Sequence, residues 1–388
     1  VLTTLAIQNY RSLRDLVLPL SQLTVIVGAN GTGKSSLYRA LRLLADAGRN
    51  GAVAALAGEG GLPSTLWAGP EKIGRAVREG RSPVQPVQRT TSVGLRLGYS
   101  GDEFGYALDF GLPVPSREPS PTAFNLDPEY KRECVWHGPV PHPSALLADR
   151  SGTRVRIRDE SGSWVESGHS IGLTDSMLSE VADPRRCPEL LIVRDRVRGW
   201  RFYDHFRTDA DAPGRQSRIG TRTRALDHDG GDLAAALRTI QESTDADALT
   251  TAIDDAFPGS SVEIAVTDGR FDLLFHQHGL LRPLSAAELS DGTLRYLLWA
   301  AALLSPRPPE LLVLNEPETS LHPDLLPALA ALITAAAKKT QLLVVSHSQL
   351  LVRFLEDASV LELEKDFGAT VVAGQGRLDQ PAWHWPKR

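Results

Sequence analysis

The chain has 388 residues, 42% apolar and 23% charged, with a net charge of −5, so it can bury a sizeable core in two or three domains, or in one domain with an insertion, and it is no polycation built to coat nucleic acid. Two cysteines, Cys134 and Cys187, make no disulfide framework, and the N-terminus carries no charged-then-apolar signal segment. The apolar stretches Leu297–Leu304 and Leu325–Ala337 fall short of the ~18 residues of a membrane span, so the chain reads as soluble, cytoplasmic and without a membrane partner.

In chain order, Leu23–Val27 is a continuous apolar and β-branched run that predicts a buried parallel strand. Gly28-Ala29-Asn30-Gly31-Thr32-Gly33-Lys34-Ser35 follows, a G-x-x-x-x-G-K-S loop, and Leu37, Leu41 and Leu44 mark a helix after it. Glycines let successive N–H groups turn toward phosphate oxygens, and the helix N-terminus adds partial positive charge. Lys34 reaches the β- and γ-phosphates and Ser35 ligates Mg²⁺ in this arrangement. Residues 92–112 predict a hairpin around Ser100-Gly101-Asp102, with proline-rich loops at 112–122 and 138–143. A second hairpin is predicted at 153–166, turning at Glu160-Ser161-Gly162. Asp232–Ile240 and Asp245–Phe257 have helical spacing, and Val262–Val266 and Phe271–Phe275 form a third hairpin around Asp268-Gly269.

Residues 185–224 hold eleven arginines against five acids. Three readings stay open for this stretch: a duplex-DNA surface, a docking face for a partner effector protein, or solvated arginines in an arginine-biased composition of 35 Arg to 7 Lys. Trp200, Phe202, Tyr203 and Phe206 lie among them and are read as core rather than as base-stacking platforms. Cys134-x-x-His137 and His276-x-His278 each offer two metal ligands, but no second pair completes either site.

Toward the C-terminus, Ser290-Asp291-Gly292-Thr293 opens a helix carrying Leu294, Leu297, Leu298, Ala301 and Leu304. Leu311–Leu314 predicts a buried strand ending in Asn315-Glu316-Pro317-Glu318, and Leu342–Val345 another ending in Ser346-His347-Ser348. Ligands bind at the carboxyl edge of open α/β sheets. An acid there, Glu316, can polarise an attacking water, and His347 can hydrogen-bond a γ-phosphate.

The order of phosphate loop, L-S-D-G-T, Glu-Pro strand end and Ser-His strand end resembles the ABC-type ATPase superfamily. Ser290 to Glu316 spans 26 residues and Glu316 to His347 spans 31, while Lys34 to Ser290 spans 256. The long middle interval looks like the RecF/SMC-like branch and its OLD-like, AAA-labelled predicted ATPases. Ala6-Ile7-Gln8-Asn9-Tyr10-Arg11-Ser12-Leu13 resembles their first strand, and Asn315–Pro323 their extended Walker B and D-loop. The resemblance implies an α/β P-loop NTPase fold: an ABC-type head with an antiparallel β subdomain and a mixed α/β insertion. The head halves are placed at 1–112 and 261–388 and the insertion at 113–260.

By the same resemblance, ATP with Mg²⁺ is held in cis by Lys34 and Ser35, with Asn30, Gly31, Thr32, Gly33 and Ser36 completing the loop and Arg11 near the nucleotide. Ser290 and Gly292 of a second copy close over the γ-phosphate in an ATP-dependent homodimer, with Leu321 and His322 at its seam. Glu316 is the general base and His347 the γ-phosphate sensor. The pathway implied is DNA maintenance or genome defence, and the alternative is a nucleotide-dependent scaffold with little hydrolysis. The sequence departs from the pattern at Asn315, where the family usually has the Walker B aspartate, so the metal side comprises Ser35 and an uncharged Asn315. Asp291 and Thr293 replace signature residues, and neither Gln85 nor Gln88 is singled out as the Q-loop glutamine. No heptad repeat supports a long coiled coil and no C-x-x-C zinc hook is present. The stretch after His347 is read as too short for an appended nuclease domain.

Overall fold

The computed structural model describes residues 1–70, 94–114, 123–376 and 378–387; Gln85 and Gln88 lie outside them. Contacts divide the chain into two compact units, one of residues 1–20, 28–198 and 362–388, the other of residues 21–27 and 199–361. These cuts differ from boundaries at 112 and 260. The strands after residue 112 pair directly onto the preceding hairpin, so backbone hydrogen bonding carries one sheet across that point.

The first unit is built on β1 (Leu2–Tyr10), β2 (Leu13–Pro19), β4 (Leu95–Gly101), β5 (Phe104–Gly111), β6 (Glu129–His137), β7 (Leu146–Ser151), β8 (Arg154–Arg158) and β9 (Trp164–Ser170). They form one antiparallel sheet in the order β2-β1-β4-β5-β6-β7-β8-β9. The two predicted hairpins are β4–β5 and β8–β9, with Leu97 opposite Leu108 and Ile157 opposite Val165. Helix α1 (Lys34–Ala47) buries Leu37, Leu41 and Leu44 as their spacing requires. Helices α2 (Ala52–Gly58) and α3 (Leu62–Thr65) follow it, and α4 (Met177–Glu180) and α5 (Pro188–Gly199) come after β9.

Beneath this sheet lies an ionic network at Glu133. Its carboxylate accepts from Tyr106 Oη and Ser176 Oγ at 2.6 Å each, and from the Met177 N–H at 2.7 Å. Arg150 donates to it at 2.6 Å, and both charged side chains are fully buried. Arg150 also donates to Gly172 O at 2.8 Å. Burial and the Glu133 charge push the Tyr106 phenol well above its ordinary range, which keeps it a donor.

The second unit centres on a parallel sheet in the order β10 (Arg201–Tyr203), β15 (Leu311–Asn315), β16 (Gln341–Val345), β3 (Leu23–Gly28, of which residues up to Val27 belong here). Leu311–Leu314 and Leu342–Val345 are buried throughout, as strands covered on both faces must be. A small antiparallel sheet joins β11 (Arg218–Ile219), β12 (Ser261–Thr267), β13 (Arg270–His276) and β14 (Leu284–Ser285), and β12–β13 is the third predicted hairpin. Helices α6 (Leu233–Gln241), α7 (Ala246–Ala256), α8 (Asp291–Leu303), α9 (Leu326–Ala337) and α10 (Gln349–Phe354) complete the unit. Their apolar faces share one core with the parallel strands.

Trp200, Phe202, Tyr203 and Phe206 are all buried, and Tyr203 and Phe206 pack on Trp299 of α8. They are core, as expected. Strand β17 (Ser359–Asp366) makes a hairpin with β18 (Ala369–Val372), and from Glu362 onward this belongs to the first unit. No helix among the described residues is long and apolar enough to cross a membrane.

Replacing Glu133 by alanine strands the Arg150 charge in the interior. Unfolding of the full chain in urea should show a loss of about 3–5 kcal/mol; a loss below about 1 kcal/mol, typical of an exposed pair, would refute the network's role.

Candidate functional site

In the first unit, the loop after β3 turns through three glycines with positive φ: Gly28 (146°), Gly31 (79°) and Gly33 (118°). A Cβ on Gly28 would come within 2.4 Å of Leu363 O, and one on Gly33 within 2.3 Å of Thr370 Oγ1. The loop therefore needs glycine at both for reasons of conformation and of space. Thr32 Oγ1 donates to Ala29 O at 2.8 Å and closes the turn. Lys34 is 4% exposed, and its ammonium curls over the loop to the carbonyls of Gly28 and Ala29, the latter at 2.9 Å. Asn30, Gly31 and Ser35 are exposed at the loop surface, and Ser36 is half-buried.

Helix α1 starts at Gly33 with no side-chain cap and no acidic residue in its first turn. Its leading N–H groups have no partner within the helix, which makes this terminus fit for an anion. The loop is braced from behind. Thr370 Oγ1 donates to Thr32 O at 2.6 Å and meets Ser12 Oγ at 2.9 Å, while the Thr370 N–H donates to Ser12 O. Arg11 is committed elsewhere: it pairs with Glu59 at 2.6 Å, and the same carboxylate accepts from the Tyr10 hydroxyl. Burial, then Glu59, raises the Tyr10 phenol above its ordinary range.

In the second unit, β15, β16 and β3 end in register, Asn315 opposite Val345 and Val345 opposite Ile26. The ladder runs on past the strands, with Glu316 N–H donating to Val345 O at 2.7 Å and Ser346 N–H to Ile26 O at 3.0 Å. Glu316 and His347 thus leave neighbouring strand ends, and His347 Nε2 lies 3.0 Å from Glu316 Oε1. Glu316 sits at φ 50°, a left-handed conformation uncommon for a non-glycine residue and characteristic of functional sites.

Glu318 is the residue sequence reasoning left without a role. Its Oε1 accepts from Ser346 Oγ at 2.7 Å, His347 N–H at 2.8 Å and Ser348 N–H at 3.0 Å, so it fixes the backbone that carries His347. The second carboxylate of the E-P-E run was the available signal. Asn315 Nδ2 donates to Asp204 Oδ1 at 2.5 Å.

Ser290 caps α8, its Oγ accepting from Thr293 N–H at 3.1 Å. Gly292 lies beside the D-loop, where a Cβ would stand 3.9 Å from Ser320 O. Leu321 packs on the unit's core, and His322 is largely exposed, its Nδ1 accepting from Asp324 N–H at 3.3 Å. Arg295 of α8, 4% exposed, donates to Thr319 O at 2.6 Å and Phe206 O at 3.1 Å, joining α8 to the turn after Glu318. Arg215 donates to Ala286 O, Leu289 O and the Asp291 carboxylate, all within 2.9 Å, and so secures the turn that leads into the signature.

Other arginines of 185–224 also have partners within their own unit. Arg196 pairs with Glu103, Arg198 with Gly48 O, Arg207 with Asp209 and Arg222 with Glu242. Cys134 is buried against Asp149, burial pushing its thiol up to about 12, and His276 meets Glu263 at 2.7 Å. No group of three or more His, Cys, Asp or Glu residues among the described residues is arranged to hold a metal ion.

Residues 23–353 match the family described as "AAA domain, putative AbiEii toxin, Type IV TA system". The chain belongs to this family. It is an AAA-type P-loop ATPase. Among solved structures it is similar to an SMC head bound to the C-winged helix domain of ScpA, with 13% identity, a TM-score of 0.50, and coverage of 96% of this chain and 97% of that one. An SMC head domain from Thermotoga maritima matches at 15% identity and TM-score 0.47, covering 96% and 98% of the two chains. At 13% identity the likeness to the first of these is one of fold alone, the α/β P-loop NTPase fold. No curated protein matches in sequence.

Two substitutions test this geometry. Gly33→Ala should abolish binding of a fluorescent ATP analogue, because the loop must open to admit the methyl group. Glu318→Ala leaves the His347 N–H and the Ser346 hydroxyl without their acceptor, at about 1–3 kcal/mol each. ATP turnover should fall well before nucleotide affinity does, and equal losses of both would refute the positioning role.

Proposed function

We propose that the protein binds and hydrolyses ATP and works as an ATP-gated dimeric switch. The observation that carries this reading is the contact of His347 with Glu316 at the edge where β15, β16 and β3 end together. An acid and an imidazole side by side on neighbouring strand ends are what a general base and a phosphate sensor would require.

The residues present suit Mg-ATP. Lys34 and the N–H groups of Gly33, Lys34 and Ser35 would receive the phosphates, and the Ser35 hydroxyl would hold Mg²⁺, which would supply neutralisation of phosphate charge. Glu316 accepts a proton from the attacking water. His347, freed from Glu316, donates to the γ-phosphate. Ser290 and Gly292 of a second copy cover the same phosphate, as the family resemblance implies.

For output we favour a protein effector in genome defence over a DNA-coating surface. Several arginines of 185–224 are already taken up by carboxylates and carbonyls of this chain, and the interleaved aromatics are core. The scaffold reading with little hydrolysis is supported by the uncharged Asn315 and is separated from the first by turnover itself.

The test is steady-state ATP hydrolysis by the full chain at low salt, with light scattering to follow assembly. Glu316→Gln should cut turnover about 10²-fold or more and accumulate an ATP-dependent dimer. Unchanged turnover and no dimer would overturn the switch. Addition of duplex DNA should leave basal turnover unmoved, and clear stimulation would return the arginine segment to a DNA role.

A further inference from the structure

The amino edge of the parallel sheet carries a recess that the strand-end chemistry does not use. It lies between the loop at 222–224, the last turn of α6 and the loop that leads from α8 into β15, and it encloses about 320 Å³. That volume falls within the range of small-ligand pockets. β15 begins at Leu311 and carries Glu316 beyond its other end, so Pro306 and Arg307 stand before the strand starts. The 13 residues of α8 separate the recess from Ser290, about 20 Å of helix. All of these segments belong to the second unit.

Arg222, Arg224 and Arg307 line the recess together with Glu242. Glu242 is already held, by Arg222 at 3.3 Å and by Arg238 at 2.8 Å. The guanidiniums of Arg224 and Arg307 are exposed and have no partner among the described residues. The backbone beneath them is fixed. Ser305 Oγ donates to Arg224 O, and the Thr223 N–H donates to Thr239 Oγ1 at 3.0 Å, which ties the loop to the ends of α8 and α6. The hydroxyls around the recess are spent: Thr239 Oγ1 donates to Ala235 O and Ser243 Oγ to Ile240 O, each at 2.7 Å. The donors left to meet a ligand are therefore the guanidiniums.

Four guanidiniums, Arg238 included, stand against one carboxylate and the carbonyl ends of two helices. Each helix end is worth about half a negative charge, so about two positive charges remain uncompensated. A phosphomonoester carries about −1.5 to −2 at pH 7. Its oxygens fit planar guanidinium forks two at a time, and an arginine at such a site is not replaceable by a point charge. A nucleic-acid duplex presents a convex row of phosphates, and the Glu242 carboxylate would repel those flanking the one in the recess. A concave site with convergent arginines suits a single terminal phosphate.

We propose that this recess binds the phosphomonoester group of a small molecule through Arg222, Arg224 and Arg307. The site is independent of ATP binding at the phosphate loop, and α8 connects it to the turn at Ser290 within the same unit.

The test is isothermal titration calorimetry of the full chain with phenyl phosphate at low salt, with phenol as the uncharged control. Phenyl phosphate should bind and phenol should not. The double variant Arg224→Gln, Arg307→Gln should weaken binding about 10-fold or more, since it removes charge-assisted hydrogen bonds. Glu242→Gln should tighten it about 2- to 5-fold by freeing Arg222 and Arg238 from an exposed pair. Opposite responses to these changes place the ligand in this recess, because neither would move binding at the phosphate loop. No binding by the wild-type chain, equal binding of phenol, or binding indifferent to both variants overturns the assignment. Displacement of phenyl phosphate by duplex DNA at a lower concentration of phosphate groups overturns it in favour of a nucleic-acid surface.

Discussion

Parallel pairing of β15, β16 and β3, extended one hydrogen bond past the strands, is the constraint on which the chemistry depends. The bonds from Glu316 N–H to Val345 O and from Ser346 N–H to Ile26 O hold two catalytic candidates at one edge with no freedom of register. A slip of one residue in either pair would turn Glu316 or His347 to the opposite side of the sheet. The strands resist such a slip because they are apolar on both faces, and any shift would expose polar residues such as Gln341 or Asn315 to the core. The left-handed turn at Glu316 is tolerated because that ladder over-determines it.

Around this edge, polar struts do what apolar packing cannot. Glu318 collects three donors from Ser346–Ser348, and Arg295 and Arg215 collect carbonyls from the D-loop and from the turn before the signature. A displacement of Thr319–Ser320 must therefore be felt at α8 through Arg295, whose burial lowers its basicity and makes loss of a partner costly. The first unit uses the same device behind the phosphate loop, where Thr370 bridges Ser12 and Thr32.

Much of the site was legible from local pattern. The phosphate loop, the Glu-Pro and Ser-His strand ends, α1, α6, α7 and three hairpins all rest on spacings of a few residues, which set periodicity and turn chemistry directly. What stayed hidden depends on partners far apart in sequence. Asp204 follows a strand of only three residues set in an arginine-rich stretch, and its hydrogen-bond partner lies 111 positions away. The role of Arg215 stayed open because charge counts do not tell a solvated guanidinium from one spent on carbonyls. The domain boundaries differed for a related reason: composition marks loops, while sheet continuity depends on which edge a later hairpin joins.

The sequence by itself determined the family, the phosphate loop and which residues are the candidates for base and sensor, because these follow from side-chain type at short, fixed intervals. The tertiary structure alone decided which residues serve one another. It set Glu318 beneath His347, Arg295 between signature helix and D-loop, and Asp204 beside Asn315. The physical reason is that a hydrogen bond or ion pair is specified by distance in space to within a few tenths of an ångström, and chain separation carries no record of that distance until the strands have paired.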